Sequence, residues 1–432
     1  MREIVIKRDR YLNQLISKQN NGAIKIVTGL RRSGKSYLLF NLFYDYLIEN
    51  GVSKDCIIRL ALDDEKNAQF RDPDKLSSYL YSQILENGEK YYVFLDEVQF
   101  AISEEEMKQK TQIRLYGILN GLARMRNVDV YITGSNSKFL SSDLSTEFRG
   151  RGEEIRVNPL SFAEYYSACR FSDKYDAWEE YVTYGGMPRI VFLDSDEEKS
   201  KYLSDLFKHT YLMDIVERYK LRGDVVLENL VDVLASSVGS LSNPSKIAST
   251  FTSNGIKTTD KTISSYIDYL EDSFLIRKAQ RYDIKGRKYI NSPLKYYFGD
   301  IGLRNARLNF RQQEPTHIME NVIFNELIMR GFNVDVGIVE HYLRLDDGKQ
   351  QVKQLEVDFV CNQGNKRYYV QSAFSIPTIE KMKQEQASLD KIDDSFKKII
   401  VTQDHVKAWR NEKGYLVINV LDFLLNPNSL DL

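Results

Sequence analysis

Residues 26–39 read IVTGLRRSGKSYLL, and Gly29, Gly34, Lys35 and Ser36 within them keep the spacing G-x-x-x-x-G-K-[ST]. Before the loop, Ala23 to Thr28 is a short apolar run rich in β-branched residues. After it, KSYLLFNLFYDYLIEN (residues 35–50) has apolar positions at helical spacing and stops at Asn50-Gly51. The order is strand, glycine loop, helix. The two glycines let the backbone curl so that successive N–H groups point inward, and the helix dipole adds positive potential at the same point. A triphosphate fits such a cradle. Its contacts are expected from Gly29, Arg31, Arg32, Ser33, Gly34, Lys35, Ser36 and Tyr37, with Lys35 reaching the β- and γ-phosphates and the Ser36 hydroxyl ligating Mg²⁺. The pattern alone also arises in chance glycine loops; the flanking strand and helix distinguish this one.

The second decisive stretch is YYVFLDEVQF, residues 91–100, where a hydrophobic strand ends in Asp96-Glu97. Two adjacent carboxylates at the end of a buried strand are costly unless they meet a cation or a positive dipole. In P-loop ATPases the first carboxylate serves Mg²⁺ and the second polarises the attacking water, which gives Asp96 and Glu97 their expected roles. A further strand, VDVYITGSNS (128–137), places Ser135 or Asn136 at the carboxyl edge of the sheet beside Asp96, in reach of a γ-phosphate or its attacking water. Then TEFRGRGEEIRVNPLSFAEYY (146–166) sets Arg149 and Arg151 either side of a glycine before another short strand. An arginine there can point at a neighbouring subunit's γ-phosphate and neutralise transition-state charge. A surface hairpin with solvated arginines is the plainer alternative.

In the order TGLRRSGKS, VFLDEVQ, YITGSNS, FRGRGEEIRVNPLSF and YGGMPRIV, the chain resembles the AAA+-type bacterial and archaeal ATPases that carry a DUF4143 domain at the carboxyl side. The likeness covers nearly the whole chain. It implies an α/β core with a P-loop parallel sheet of order 5-1-4-3-2, matching candidate strands near 23–28, 57–62, 92–96, 129–133 and 154–157. It also implies that Lys35, Ser36, Asp96, Glu97, Asn136 and Arg151 keep their AAA+ roles, with ATP and Mg²⁺ as cofactors.

At 432 residues the chain is long enough for several cores. The expected domains are the ATPase core at 1–158, a helical lid at 159–222, a winged helix at 223–300 and a restriction-endonuclease-like α/β domain at 301–432. With 60 Lys+Arg against 61 Asp+Glu, any basic surface for nucleic acid must be local. Cys56, Cys169 and Cys361 form neither a disulfide framework nor a zinc pattern, and no apolar run approaches a membrane span, so a cytoplasmic protein is expected.

In the lid, YGGMPR (184–189) reads as a fixed turn between helices, with Gly185, Gly186 and Pro188 as its punctuation. In the winged-helix region, Asn243 to Thr250 and a helix capped by Asp260 precede strands carrying DIKGRK (283–288). Basic wing residues would contact DNA phosphates, but the second helix holds only Lys261 against Asp268, Glu271 and Asp272. Double-stranded DNA and another protein therefore both stand as partners, and a homo-oligomer follows from an arginine acting in trans. The last third has Glu320 and Glu326 on a helix and Asp358 on a hairpin. Where a nuclease would carry Glu-x-Lys, it reads Gln371-Ser372-Ala373. That module is expected to be catalytically inactive.

Overall fold

Strand β1 (Ile24–Thr28) is buried at every position and belongs to a five-stranded sheet with β2 (Ile57–Ala61), β3 (Tyr91–Asp96), β4 (Val128–Thr133) and β5 (Gly152–Arg156). The spatial order is 2-3-4-1-5, which is the expected 5-1-4-3-2 order read from the other edge. All pairings are parallel, so the carboxyl ends of all five strands open on one edge. This is the α/β architecture of a P-loop AAA+ core. The computed structural model describes residues 5–103, 105–106, 113–134, 148, 151–221, 225–311, 314–344 and 350–432.

Both faces of a parallel sheet must be covered, and the alternation along each strand divides its side chains between two cores. Ile24, Ile26, Val93, Leu95, Val130 and Ile132 face one core with the helices Pro73–Gln83 and Arg114–Ala123. Val27, Phe94, Tyr131 and Ile155 face the other, with the helix Asp9–Ser17 and the helix after the glycine loop. That last helix spans 35–49, with Leu38–Phe43 wound as a π-helix, and it ends before Gly51, which takes φ 87°. Phe43 packs on Tyr131 and Phe94 with ring centroids 4.9 and 5.7 Å apart, and Phe94 meets Tyr131 edge-on at 5.4 Å. At about 0.5–1.5 kcal/mol per ring pair beyond area burial, this triad fixes the loop helix against β3, which ends in Asp96, and its neighbour β4.

The chain divides into two compact units, Met1–Pro159 with Asp272–Phe274, and Leu160–Glu271 with Leu275–Leu432. The second begins with helices Phe162–Ala168, Lys174–Tyr184 and Asp196–Leu206, the first and third closed by Ser-x-x-Glu capping boxes at Ser161 and Ser195. Its sheet has nine strands: β6 (Leu241–Ser242), β7 (Ile276–Asp283), β8 (Lys288–Phe298), β9 (Asn333–Arg344), β10 (Gln350–Gln363), β11 (Lys366–Ala373), β12 (Lys397–Thr402), β13 (Trp409–Arg410) and β14 (Leu416–Asn419). They run in the order 13-14-12-11-10-9-7-8-6, so the hairpin β7–β8 that carries DIKGRK shares one sheet with the strand that carries Asp358. The helix expected from Asp260 spans Asp260–Asp272, but its cap is Thr259, whose hydroxyl accepts the Thr262 amide at 3.1 Å.

The YGGMPR turn is held by packing. Gly185 takes φ 72°, and a Cβ there would lie 2.4 Å from an Asp300 oxygen; one on Gly186 would lie 2.2 Å from the Leu160 carbonyl oxygen. The Asp300 carboxylate accepts from the Gly186 amide at 2.7 Å and from the Leu303 amide at 3.0 Å, capping the helix Ile301–Arg307. Among the described residues no helix is long and apolar enough to cross a membrane.

Candidate nucleotide site

The loop between β1 and its helix is built for close backbone approach. Gly29 has φ 135°, and a Cβ there would stand 2.0 Å from the Val157 carbonyl oxygen, so only glycine fits. Arg32 and Gly34 also take positive φ, 62° and 95°, which turns the chain into the first helical residue, Lys35. Ser33 is fully buried and its hydroxyl donates to the Val157 carbonyl at 3.2 Å. Arg8 donates to the carbonyls of Ser33 at 3.0 Å and Asn158 at 2.6 Å, tying the loop to the chain beyond β5.

Lys35 is 4% exposed, and its ammonium donates to the carbonyls of Gly29 and Leu30, each at 3.1 Å. Burial lowers its pKa, with Glu97 and Asp96 raising it and Arg31 lowering it further. An anion at this point would supply the counter-charge that two neutral carbonyls do not.

Asp96 ends β3 and is 5% exposed. Burial pushes its carboxyl upward, against hydrogen bonds from the Thr133 and Ser36 hydroxyls that pull it down. Thr133, the last residue of β4 and fully buried, therefore donates to Asp96, and its oxygen accepts the Glu97 amide at 3.1 Å. Glu97 sits in the left-handed region at φ 52°, ψ 53°, a costly conformation for a non-glycine residue. Its carboxylate accepts from the Gln99 side-chain amide, which fixes where it points.

The structure thus gathers Gly29, Ser33, Gly34, Lys35, Ser36, Asp96 and Glu97 on the carboxyl edge of the sheet. Arg31 lies near enough for its charge to act on Lys35, while Arg32 and Tyr37 are on the exposed side of the loop and helix. Arg151 is not brought there. It precedes β5, its carbonyl accepts the Ile24 amide at 2.7 Å, and the register Ile24↔Gly152 to Thr28↔Arg156 puts it on the opposite edge. The strand rise makes that separation on the order of 13 Å along the sheet. Ser135, Asn136 and Arg149 lie outside the described residues. Thr133, Arg8 and Gln99 carry site contacts that the motifs did not single out. Thr133 had a signal, as the polar terminus of the strand beside β3; Arg8, 25 positions from Ser33, had none.

Residues 21–166 match a family described as an AAA domain, and residues 175–314 match a domain of unknown function, DUF8612, in place of the DUF4143 domain that the resemblance implied. Among solved structures, the Walker-type ATPase of Pyrococcus abyssi aligns with 71% of this chain and 97% of its own at 15% identity and a TM-score of 0.49. The Aeropyrum pernix ORC1 protein in complex with DNA aligns with 70% and 92% at 12% identity and a TM-score of 0.32. An uncharacterized Methanocaldococcus jannaschii protein is 26% identical over 96% of this chain and 89% of its own. An uncharacterized Haemophilus influenzae protein is 36% identical over 98% of this chain and 100% of its own. Identity at that level across the whole of the Haemophilus influenzae protein puts the two in one family, and this chain belongs to it as an AAA+-type P-loop protein.

Proposed function

We propose that the chain binds ATP with Mg²⁺, hydrolyses it, and uses its nucleotide state to control a partner-binding carboxyl-terminal half. The observation that carries this reading is the meeting of Lys35, Ser36, Asp96 and Glu97 at one sheet edge, with Thr133 bonded to both acidic residues. Ser36 and Asp96 would hold Mg²⁺, which when bound neutralises phosphate charge. Lys35 exchanges two neutral carbonyl partners for phosphate oxygens. Glu97, aimed by Gln99, takes a proton from or orients the attacking water. Arg151 precedes its strand at the end away from its own site, which favours a role in trans within a homo-oligomer; Arg149 is the other candidate for that role, and Asn136 remains the candidate for binding the γ-phosphate or orienting the water. The decisive assay is phosphate release: Glu97→Gln is expected to bind ATP and lose turnover on the order of 10²–10⁴-fold. Turnover equal to wild type would remove Glu97 from the reaction.

Double-stranded DNA is the partner we favour for the carboxyl-terminal half. Lys285, Arg287 and Lys288 are exposed at the tip of the β7–β8 hairpin, where Asp283 accepts the Gly286 amide at 2.8 Å and shapes the turn. Of the acidic residues on the helix Asp260–Asp272, Asp268 and Glu271 are each 2.6 Å from the Lys278 ammonium, which offsets their repulsion of phosphate and raises that lysine's pKa to about 12. We read this region as a winged helix and the order helix, β9, β10, β11, helix, β12 as an inactive restriction-endonuclease-like module. Protein docking with little turnover is the alternative, and an ATP-dependent nuclease would need ligands that Gln371 and Ala373 do not supply. Cys56 and Cys361 are buried free thiols pushed upward in pKa by burial, which suits a reducing cytoplasm.

A further inference from the structure

Three carboxylates from two elements converge inside the carboxyl-terminal unit. Glu320 projects from the helix Pro315–Met329, and Glu356 and Asp358 stand two residues apart on β10, hence on one face of the strand. Among them lies the ammonium of Lys295 from β8, 2.9 Å from Glu320 and 2.7 Å from Glu356, with Lys295 itself 4% exposed. Neighbouring groups add further hydrogen bonds. Tyr297 donates to Glu320 at 2.6 Å, the Ser372 amide donates to Asp358 at 2.8 Å, and the Asp358 amide donates to the Gln371 side-chain oxygen at 3.4 Å. His317 Nδ1 stands 3.8 Å from Glu320.

The charges sort themselves accordingly. Burial works to lower the Lys295 pKa, but Glu320, Asp358 and Glu356 more than offset it and the ammonium is held charged. Burial works to raise the Glu320 pKa, and Lys295 overrides it, so Glu320 is held ionised. Asp358, buried and beside Glu320, is driven well above the usual carboxylate range. One ammonium thus lies within 2.9 Å of two carboxylates, and the third is close enough for its charge to act on it. Carboxylates packed this closely need a compensating positive charge. Among the described residues, however, no group of three or more His, Cys, Asp and Glu is arranged to hold a metal ion.

We propose that Lys295 is a built-in counter-cation that takes the place of a divalent metal among Glu320, Glu356 and Asp358, closing this cluster to metal ions and so to metal-dependent chemistry. The ammonium donates along its own three N–H directions and brings no coordinated water, so it can hold β8, the helix and β10 together but cannot activate a nucleophile. This explains why the module keeps its acidic residues while Gln371 and Ala373 stand where a nuclease would need charged groups. The inference is independent of whether the chain hydrolyses ATP.

The test uses the full chain without nucleotide and counts bound Mn²⁺ by electron paramagnetic resonance. Wild type and Asp358→Asn are expected to bind Mn²⁺ identically. Lys295→Ala is expected to bind one further ion per chain and to melt about 5 °C higher at roughly 100-fold excess over Kd. Both gains should vanish in Lys295→Ala with Glu320→Gln and Asp358→Asn. A wild-type Mn²⁺ site lost in Asp358→Asn would overturn the proposal, as would a folded Lys295→Ala chain that gains no ion. Should Lys295→Ala fail to fold, Lys295→Met with Glu320→Gln removes one charge of each sign. Recovery of the fold in that double variant supports the counter-charge role, and failure to recover means that Lys295 is needed for packing and overturns it.

Discussion

At Thr133 a single hydroxyl donates to the Asp96 carboxylate and accepts the Glu97 amide. Replacing it with valine keeps the shape and removes both bonds, leaving a buried carboxylate and a partly buried amide each one bond short. We expect Thr133→Val to lower kcat about tenfold and to destabilise the ATPase unit by about 1–3 kcal/mol, readable from phosphate release and thermal melting. Serine at the same place should recover most of the activity, and a valine variant with unchanged kcat would show that Asp96 needs no such support. Asp300 gives a different residue-scale expectation. Burial pushes its carboxyl up to about 6 from the usual 3.8, against the amides of Gly186, Leu303 and Gly302 that pull it down. The folded state therefore binds more protons than the unfolded chain between those two values, so stability rises as pH falls through that window and is lost above it. The full effect is roughly 3 kcal/mol. Both tryptophans, Trp178 and Trp409, lie in the unit that contains Asp300, so urea unfolding monitored by their fluorescence reads it directly. Asp300→Asn should flatten the dependence between pH 4 and 6. The residues with chemistry next to a glycine pattern or a strand end were legible in the sequence: Lys35, Ser36, Asp96 and Glu97. Those acting across the fold, Arg8 and Asp300, were not, because their partners at Ser33 and Gly186 are distant in the chain and polar residues alone carry no address.

At the scale of elements, the parallel sheet was legible because β1 to β4 are short, largely apolar runs bounded by a glycine or acidic turn, whereas β5, GEEIR, has only Ile155 buried. β4, for example, is buried throughout despite Asp129, which is satisfied inside by the Lys25 ammonium and the Tyr131 hydroxyl. The turn at residues 185–186 was legible as a turn; its reason, contact with Leu160 and Asp300, was not. Gly186→Ala would force Cβ into a backbone carbonyl that cannot swing aside, and we expect a loss of at least about 3 kcal/mol in the unfolding of that unit. A loss under about 0.5 kcal/mol would mean the turn shifts freely, as a hinge does. The strand β5 bears on the role proposed for Arg151. Because Arg151 stands at its amino end, away from Lys35, Arg151→Ala mixed with Glu97→Gln is expected to regain part of the wild-type phosphate release that each lacks alone, through mixed sites holding both native residues. Hydrolysis that stays first order in protein down to a dilute monomer would contradict that arrangement.

Across the whole molecule, the chain divides into two compact units, and the strands of the second join in one sheet. The hairpin β7–β8 and the strand that carries Asp358 were legible one by one as strands. Their union in nine strands was not, since β7 and β9 pair over only three residues, Arg281 to Asp283, that no local pattern marks. If this unit holds duplex DNA through the hairpin tip, neutralising Lys285, Arg287 and Lys288 together should weaken binding to any sequence and reduce the slope of log K against log salt by up to about 3. Undetectable duplex binding at low salt, with and without ATP, would leave a protein as the partner.

Above all, the loop at residues 29–36 should be a working triphosphate cradle whose charge comes from Lys35. Calorimetric titration of wild type, Lys35→Ala and Glu97→Gln with Mg²⁺·ATP tests this most directly. We expect Glu97→Gln to bind within a few-fold of wild type, because its substitution leaves the loop and Lys35 in place, and Lys35→Ala to bind at least about 100-fold more weakly, the equivalent of roughly 3 kcal/mol. Equal affinity of wild type and Lys35→Ala, or no heat of binding in wild type at all, would contradict a cradle that works through Lys35.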